Sequence, residues 1–455
     1  MRSSLWLILL VLVATHAHAA DPADPTTAAE PPQGIVPIPD YSGDIWSRSY
    51  LSGDWREERN HLADLGVQFD FQFVQFAQST VGGGFDADTE TRWLGRFTYK
   101  LRLDLMRMGI LPGALISVRA ESRTGRTVNA DAGIVLPVNT GSIYPVKYSD
   151  LENDQGLAIT NLSWLQMLSP HFGLIAGKID MFDGDPNEFA GGRGDTQFMN
   201  WNFNYAAPVV INPGSTLGAG VVALPHENWT LQGLVVSAED SSSTTGFTDL
   251  DEGSGGILVF GSSLQYRLFD LPGGFNASYL YYFDKNFTDL DSFSLGGGQG
   301  FDSSRKNRSW TFFVSGWQYL YTEEAPDGPI DLNNEMPDLE GVGLFTRFSF
   351  ADKTTNPWKN HVSGGIGGRG VVPTRDNDVF GVGYFYNWLE TARLDAPLGE
   401  IDLIDVDPNE WGFEFFYNIA ITPAAKLSFN IQVIDSPLPG VSTGTVIGSR
   451  FALMF

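Results

Sequence analysis

Residues 411–421 read Trp-Gly-Phe-Glu-Phe-Phe-Tyr-Asn-Ile-Ala-Ile, and a large apolar side chain occupies every second position from Trp411 to Ile421. Glycine, glutamate, asparagine and alanine stand between these positions, with Phe416 as the single exception. A period of two places successive side chains on opposite faces of a β-strand. The stretch therefore predicts a strand with one apolar face and one mostly polar face.

The same alternation continues to the end of the chain. Residues 426–433 alternate between polar and apolar side chains, and a further strand from Thr445 ends on the aromatic Phe455. The apolar faces are large and aromatic, and the sequence shows no second layer of helices to cover them. A membrane barrel resolves this conflict, because lipid covers its outside and water fills its lumen.

The first residues and the composition indicate an exported protein. Residues 1–19 combine a basic start, a short apolar run and the small residues Ala17 and Ala19, which is the pattern of a secretory signal peptide. The apolar run is shorter than the roughly 20 residues that a membrane helix needs. The chain contains no cysteine, so we expect no disulfides. Its net charge of −26 argues against nucleic acid as a partner.

The segment before the first strand is expected to lie in the periplasm. Residues 20–50 are rich in proline and alanine and are expected to form a disordered leader. Residues 51–66 predict a short periplasmic helix, with Asp54 as N-cap and Glu57 completing a capping box. Three apolar residues share roughly one face of this helix, namely Trp55, Leu62 and Leu65. We expect that face to pack against the mouth of the barrel.

Residues 67–455 predict the barrel itself. Alternating segments follow one another and give an all-β, transmembrane antiparallel barrel of about sixteen strands, an even number as in bacterial barrels. Short and long connections alternate, which is typical of a periplasmic rim and an extracellular rim. One connection departs from this rule, because residues 323–338 are long yet fall on the short-turn side.

Several short motifs resemble those of the carbohydrate-selective porins of the OprB type. They are Gly53-Asp54-Trp55 followed by Arg59, Leu62 and Gly66-Val67, and Gly177-Lys178-Ile179-Asp180 ahead of Phe198-Met199-Asn200. The resemblance implies a sixteen-stranded outer-membrane barrel that passes monosaccharides, glucose in particular, by facilitated diffusion. It also implies a homotrimer. Phe455 matches the terminal aromatic residue that the outer-membrane assembly machinery recognises.

The second and third strands carry the most concentrated set of charges. Opposite their apolar faces stand Arg96, Lys100, Arg102, Arg119, Glu121 and Arg123. Neighbouring strands lie about 4.8 Å apart, so the two sets are expected to form one charged stripe on the lumen wall. Under the functional interpretation, the guanidinium and carboxylate groups replace the hydration of a passing sugar. The alternative interpretation is a polar lumen that ion pairs brace.

A long third loop is expected to fold inward and narrow the pore. Its candidate residues, with the strand that precedes it, are Lys178, Asp180, Asp183, Asp185, Arg193, Asp195 and Trp201. Trp201 and Trp164 are the candidates for stacking on the apolar face of a sugar ring. The alternative role for a tryptophan is the girdle at the membrane interface, which is the commoner use.

The sequence predicts an outer-membrane pore for small neutral sugars, without catalytic residues, metal or cofactor. Outer-membrane lipid is the expected surrounding. One alternative is a general or anion-preferring porin, which the inward arginines favour and the acidic total disfavours. A second is an outer-membrane barrel enzyme or a secreted all-β glycoside hydrolase. Asp183 and Asp185 are conceivable as a hydrolase pair, but nothing in the sequence positions them. The six histidines lack metal-ligand spacing.

Overall fold

The structure is a computed structural model. It describes residues 34–87, 90–145, 154–247, 255–295, 301–323, 339–390, 393–396, 399–402 and 409–455. The expected signal peptide, residues 20–33 of the expected leader and residues 324–338 of the long turn lie outside these ranges.

Sixteen strands close into an antiparallel barrel, which confirms the strand count predicted from the alternation. The first thirteen are β1 Val67–Gly84, β2 Arg92–Asp104, β3 Ala114–Gly125, β4 Gln155–Ser169, β5 Phe172–Asp180, β6 Ser215–His226, β7 Trp229–Ser237, β8 Gly256–Leu268, β9 Leu271–Leu295, β10 Phe301–Thr322, β11 Gly341–Ala351, β12 Trp358–Arg369 and β13 Val379–Leu389. A small hairpin follows, made of β14 Arg393–Ala396 and β15 Gly399–Asp402. The last three are β16 Asn409–Thr422, β17 Ala425–Asp435 and β18 Ser442–Met454.

Two pairings show that the ring is complete. β1 pairs antiparallel with β2 on one side and with β18 on the other, so the first and last strands form the closing seam. β13 pairs directly with β16, which leaves the β14–β15 hairpin outside the ring. Closure satisfies the backbone hydrogen bonds of every strand, as a hydrocarbon surrounding requires.

The predicted faces of β16 are confirmed by side-chain exposure. Phe413 and Phe415 are 49% and 43% exposed on the outside of the barrel, whereas the intervening Glu414 is 1% exposed and points inward. The exception to the alternation, Phe416, also points inward and is fully buried. Its ring centroid lies 4.8 Å from that of Phe198, in a loop inside the barrel. An apolar residue fits the lumen face here because a folded-in loop covers it.

The N-terminal helix is shorter than predicted, and it presents a different face to the barrel. α1 spans Glu58–Asp64, and the predicted capping box does not form, because the N-cap is Glu57 in a left-handed conformation without a side-chain cap. Arg59 and Ala63 form its buried side. Three residues that were expected to pack against the mouth are 40–50% exposed instead, namely Trp55, Leu62 and Leu65. At the rim of a membrane barrel an apolar face can remain outside, because the lipid interface accommodates it.

The expected disordered leader is wrong for residues 35–41, which contact the barrel. The backbone N–H of Ile35 donates to Asp104 at the end of β2, over 2.6 Å. The hydroxyl of the fully buried Tyr41 donates to Asp70 of β1 over 3.0 Å. These polar contacts compensate for the low hydrophobicity that suggested disorder.

Arg59 joins the two ends of the barrel. Its guanidinium donates to the carbonyl oxygens of Phe69 in β1, over 2.6 Å, and of Phe455 after β18, over 3.0 Å. It also forms an ion pair with Asp70 at 3.1 Å and lies 3.7 Å from the centre of the Tyr41 ring. One buried side chain thus holds the closing seam at this end of the barrel.

We expect Arg59→Met to destabilise the barrel. The change leaves two carbonyl oxygens and a carboxylate without their cation, and we expect the free energy of unfolding to fall by about 3 kcal/mol. Urea unfolding in lipid vesicles measures it. Arg56→Met is the matched control, since the Arg56 side chain is exposed three residues away. An unchanged unfolding midpoint for Arg59→Met would show that the seam does not depend on this contact.

The lumen is partly filled by two loops that fold inward, one from residues 126–145 and one from residues 181–214. Their apolar residues form clusters with inward-facing side chains of the wall. Within the described residues no helix is both long and apolar enough to cross a bilayer.

Candidate pore constriction

The inward loop of residues 181–214 leaves the wall at the end of β5. Just before it, Gly177 has a φ of +132°, and a Cβ there would lie 2.2 Å from the carbonyl oxygen of Leu162. Glycine is required because β4 and β5 approach too closely for any side chain. The loop then contains the short helix α2, Trp201–Asn204, whose N-cap Asn200 accepts a hydrogen bond from the N–H of Asn202.

Three buried charged residues of the wall hold this loop in place. Arg347 of β11 is fully buried and donates to the carbonyl oxygens of Ala190, over 2.6 Å, and of Phe203. Glu414 of β16 accepts from the N–H groups of Met199 and Asn200 over 2.8 and 2.9 Å. Arg450 of β18 donates to the carbonyl oxygens of Gly194 and Gln197 over 2.6 and 2.9 Å. Because the anchors come from three separate strands, the loop cannot tilt without breaking buried hydrogen bonds.

The loop of residues 126–145 is held in a similar way. Asn139 donates to Gln78 of β1 over 2.8 Å, and Arg123 of β3 donates to the carbonyl oxygen of Ser142. This brings Tyr144 next to the first loop, where its hydroxyl lies 2.7 Å from that of Tyr205. The two loops therefore form one continuous structure across the lumen.

The two loops and the wall together surround a cluster of five charged groups. Arg119 of β3 lies 3.0 Å from Asp180 and 2.7 Å from Asp183. Arg193 lies 2.8 Å from Asp180, 2.9 Å from Asp183 and 3.1 Å from Glu121. The guanidinium of Arg193 also lies 3.7 Å from the centre of the Tyr144 ring, in cation–π geometry. We call these five residues, Arg119, Glu121, Asp180, Asp183 and Arg193, the ion cluster.

The ion cluster keeps its loop groups charged. Burial alone would raise the pKa of the Asp183 carboxyl, but Arg119 and Arg193 outweigh it and lower this pKa to about 2. Burial would lower the pKa of Arg193, yet Asp180, Tyr144 and Glu121 raise it well above its usual value. The stability that the Asp183 carboxylate contributes is therefore present at neutral pH and is lost only as the pH falls towards about 2.

Comparison with known proteins places this arrangement in a family. Residues 89–455 match the family model described as "Carbohydrate-selective porin, OprB family". The chain belongs to the carbohydrate-selective porin family. Among curated proteins, Porin B of Pseudomonas aeruginosa is 23% identical over 439 residues, which cover 89% of this chain and 91% of that protein.

Solved structures agree on the fold. The high-pH structure of Pseudomonas putida OprB matches with a TM-score of 0.74 at 18% identity and covers 91% of this chain and 100% of that one. The low-pH structure of the same protein matches with a TM-score of 0.54 at 15% identity, covering 90% and 99%. The protein is an outer-membrane sugar porin, and the family and fold are those of a channel. Membership of this family does not favour a general porin or a secreted glycoside hydrolase.

In this porin the predicted charged stripe divides into two parts. Arg96 and Arg123 are each 1% exposed and hold the loops, since Arg96 forms a buried ion pair with Asp195 and Arg123 binds the Ser142 carbonyl. Arg119 and Glu121 belong to the ion cluster. Lys100 and Arg102 stay half-buried on the lumen face of β2, beside Arg119 and Ser117 in register. The stripe is thus divided between residues that hold the loops and residues of the ion cluster.

The residues predicted on β5 and the third loop also separate. Lys178 turns away from the ion cluster and donates to the carbonyl oxygen of Thr244 over 2.7 Å. Asp185 pairs with the anchor Arg347 at 2.6 Å. Asp180, Asp183 and Arg193 come together in the ion cluster.

The proposed sugar-stacking role of Trp201 is wrong. Its side chain is 1% exposed and packs between Phe182 and Tyr205, with ring centroids 5.4 and 5.0 Å away. A ring enclosed on both sides cannot take up a sugar. The other candidate, Trp164, is 46% exposed on β4 and lies on the same outward face as Leu162, so it does not face the lumen.

Sequence reasoning missed the anchors Arg347, Glu414 and Arg450 and the aromatic residues Tyr144 and Phe182. The anchors carry a usable signal, because each charged residue occupies a lumen-facing position in an otherwise apolar stretch of strand. A charge at such a place needs water or a hydrogen-bond partner, and an inward loop can supply that partner. Tyr144 and Phe182 lie in irregular segments, where side-chain direction cannot be read from a period.

Proposed function

We propose that the porin passes neutral monosaccharides such as glucose to the periplasm by facilitated diffusion, and that the ion cluster with Lys100 and Arg102 forms the selective constriction. The main support for this proposal is that the ion cluster places hydrogen-bond donors and acceptors side by side in nearly equal number. Arg119 and Arg193 offer N–H groups, and Asp183, 43% exposed, offers carboxylate oxygens to the lumen. A sugar hydroxyl both donates and accepts, so such a surface can replace its water.

The balance of charge argues against an anion-preferring pore. Three carboxylates surround the two guanidinium groups of the ion cluster at 2.7–3.1 Å. With Lys100 and Arg102 the proposed constriction has four cationic groups against three carboxylates. An anion that approaches the cationic groups therefore also approaches the carboxylates, and its attraction is largely cancelled. We expect a reversal potential close to zero under a potassium chloride gradient.

Liposome swelling tests the proposed selectivity. Vesicles that contain the porin should swell faster in glucose than in an uncharged non-sugar solute of the same size. The reason is that only the sugar presents a ring of hydroxyls to the constriction. Empty vesicles give the leak rate. Equal rates for the two solutes would defeat the proposal.

Export and assembly follow the same proposal. Cleavage after Ala19 or Ala20 would release the mature chain, and mass spectrometry of the purified protein measures its first residue. Phe455 is the proposed contact for the outer-membrane assembly machinery, and the homotrimer implied by the resemblance is a prediction that light scattering in detergent tests. A monomeric mass would overturn the trimer without affecting the transport proposal.

A further inference from the structure

A cavity lies next to the ion cluster, between the inward loop and the wall of β7 to β10. It comprises about 470 Å³ of empty space, including its opening. The side chains that matter here are Phe182, Asp185, Asn212, Gln232, Ser278 and Phe313. Gly184, which follows Asp183 of the ion cluster, lines the same cavity. The cavity therefore adjoins the ion cluster.

Two polar side chains of the wall face this cavity without a partner. Gln232 of β7 and Ser278 of β9 form no hydrogen bond with any residue that the structure describes. Gln232 lies flat over Gly261 of the next strand, where a Cβ would meet its side chain at 2.6 Å. Gln232 is half-buried and Ser278 is 4% exposed, and amides and hydroxyls in such places normally find partners, so these two groups are available to a ligand.

Two acceptors in the cavity are held in fixed positions. The Asp185 carboxylate accepts from Arg347 over 2.6 Å and from Asn276 over 3.2 Å. The side-chain oxygen of Asn212 accepts from the hydroxyl of Tyr282. A carboxylate has more lone pairs than these contacts use, and the Asn212 amide keeps its donors.

Phe182 supplies a rigid aromatic surface on the loop side. The ring is half-buried, and Tyr205 and Trp201 hold it from behind, with ring centroids 4.9 and 5.4 Å away. Phe313 of β10 lies on the wall side. Apolar rings combined with a few convergent polar groups are the usual make-up of a small-molecule site. A pyranose matches it, because its C–H faces are apolar and its edge carries hydroxyls.

We propose that this cavity is a second binding site for a pyranose sugar, beside the constriction and separate from it. The sugar would place a C–H face on Phe182 and its hydroxyls towards Gln232, Ser278 and Asp185. This inference rests on the proposed function and extends it, because it gives the porin a place where a sugar is held before or after the narrowest point.

Gly184→Leu is the sharpest test. No heavy atom lies within 4 Å of the position that a Cβ would occupy at Gly184, and its φ is not in the left-handed region, so leucine fits the backbone at a position that lines the cavity. The quantity to measure is the glucose concentration that half-blocks the ion current of a single channel. We expect this half-blocking concentration to rise about fivefold, which corresponds to the loss of one or two hydrogen bonds. Gly156→Leu is the control, because that position is equally open but lies on β4, outside the cavity.

Gln232→Leu provides an independent variant, since it removes the amide and keeps the size of the side chain. If wild type shows saturable glucose block and neither variant changes the half-blocking concentration, the second site is rejected while the proposed function stands. If wild type shows no saturable block, the proposed function itself fails. Mannitol, which has the hydroxyls but no ring, should not block. Equal block by mannitol would overturn the role of Phe182.

Discussion

Replacing Arg347 by methionine is expected to raise the ion conductance of the pore severalfold and to abolish its preference for sugars. Arg347 is fully buried and donates to the Ala190 and Phe203 carbonyl oxygens while pairing with Asp185. Methionine has similar length but no donor, so these acceptors lose their partner inside the protein. Breaking such a contact costs about 4 kcal/mol, and it frees the part of the inward loop around Asp185 and Ala190 from the wall.

Planar-bilayer recording together with liposome swelling measures both parts of this result. Arg267→Met is the control, because Arg267 is exposed at the end of β8. Arg347→Lys keeps the charge but cannot reach several acceptors at once, and it should fall between wild type and Arg347→Met. A variant that folds, keeps the wild-type conductance and still prefers glucose would contradict the anchoring role of Arg347.

Replacing Arg193 by methionine should make the pore prefer cations. The change removes the cation that lies 2.8–3.1 Å from Asp180, Asp183 and Glu121, and it leaves Arg119 as the remaining arginine of the ion cluster. We expect the cation-to-anion permeability ratio to rise on the order of fivefold at low salt. The effect should shrink at high salt, because ions screen the exposed carboxylate.

Reversal potentials under a salt gradient measure this change of preference. Asp183→Asn is the matched opposite change, since it removes a negative charge from the same cluster and should move the reversal potential the other way. Shifts of the same sign in both variants, or no shift in either, would show that the ion cluster does not line the conducting path.

The strands of the barrel wall could be predicted from the sequence, because the alternation of polar and apolar residues lies within each strand. Lipid outside and water inside impose a period of two on each strand, and that period gave the strand count and the outward faces of β16. Even the exception at Phe416 was visible, and its cause is a contact with Phe198, more than 200 residues away. The pattern marks such a position but cannot name the partner.

The ion cluster was only partly predictable, because the role of each charged residue depends on contacts between distant residues. Arg96 and Arg119 share the same kind of strand position, yet Arg96 pairs with Asp195 in the interior while Arg119 meets Asp180 and Asp183 at the lumen. The two arginines have different partners because of the path of the inward loop, and the alternation of polar and apolar residues along the strands does not predict that path. The same path encloses Trp201, whereas Phe182, which sequence reasoning passed over, faces the cavity.

The most direct test of this account is a glucose titration of the ion current through single wild-type channels in a planar bilayer. The account predicts a current that falls to a plateau as glucose rises, because sugar occupies a fixed, nearly charge-balanced passage. The same concentrations of mannitol should lower the current only as far as they lower the conductivity of the solution. A glucose effect no larger than that change in conductivity would contradict sugar binding in the pore.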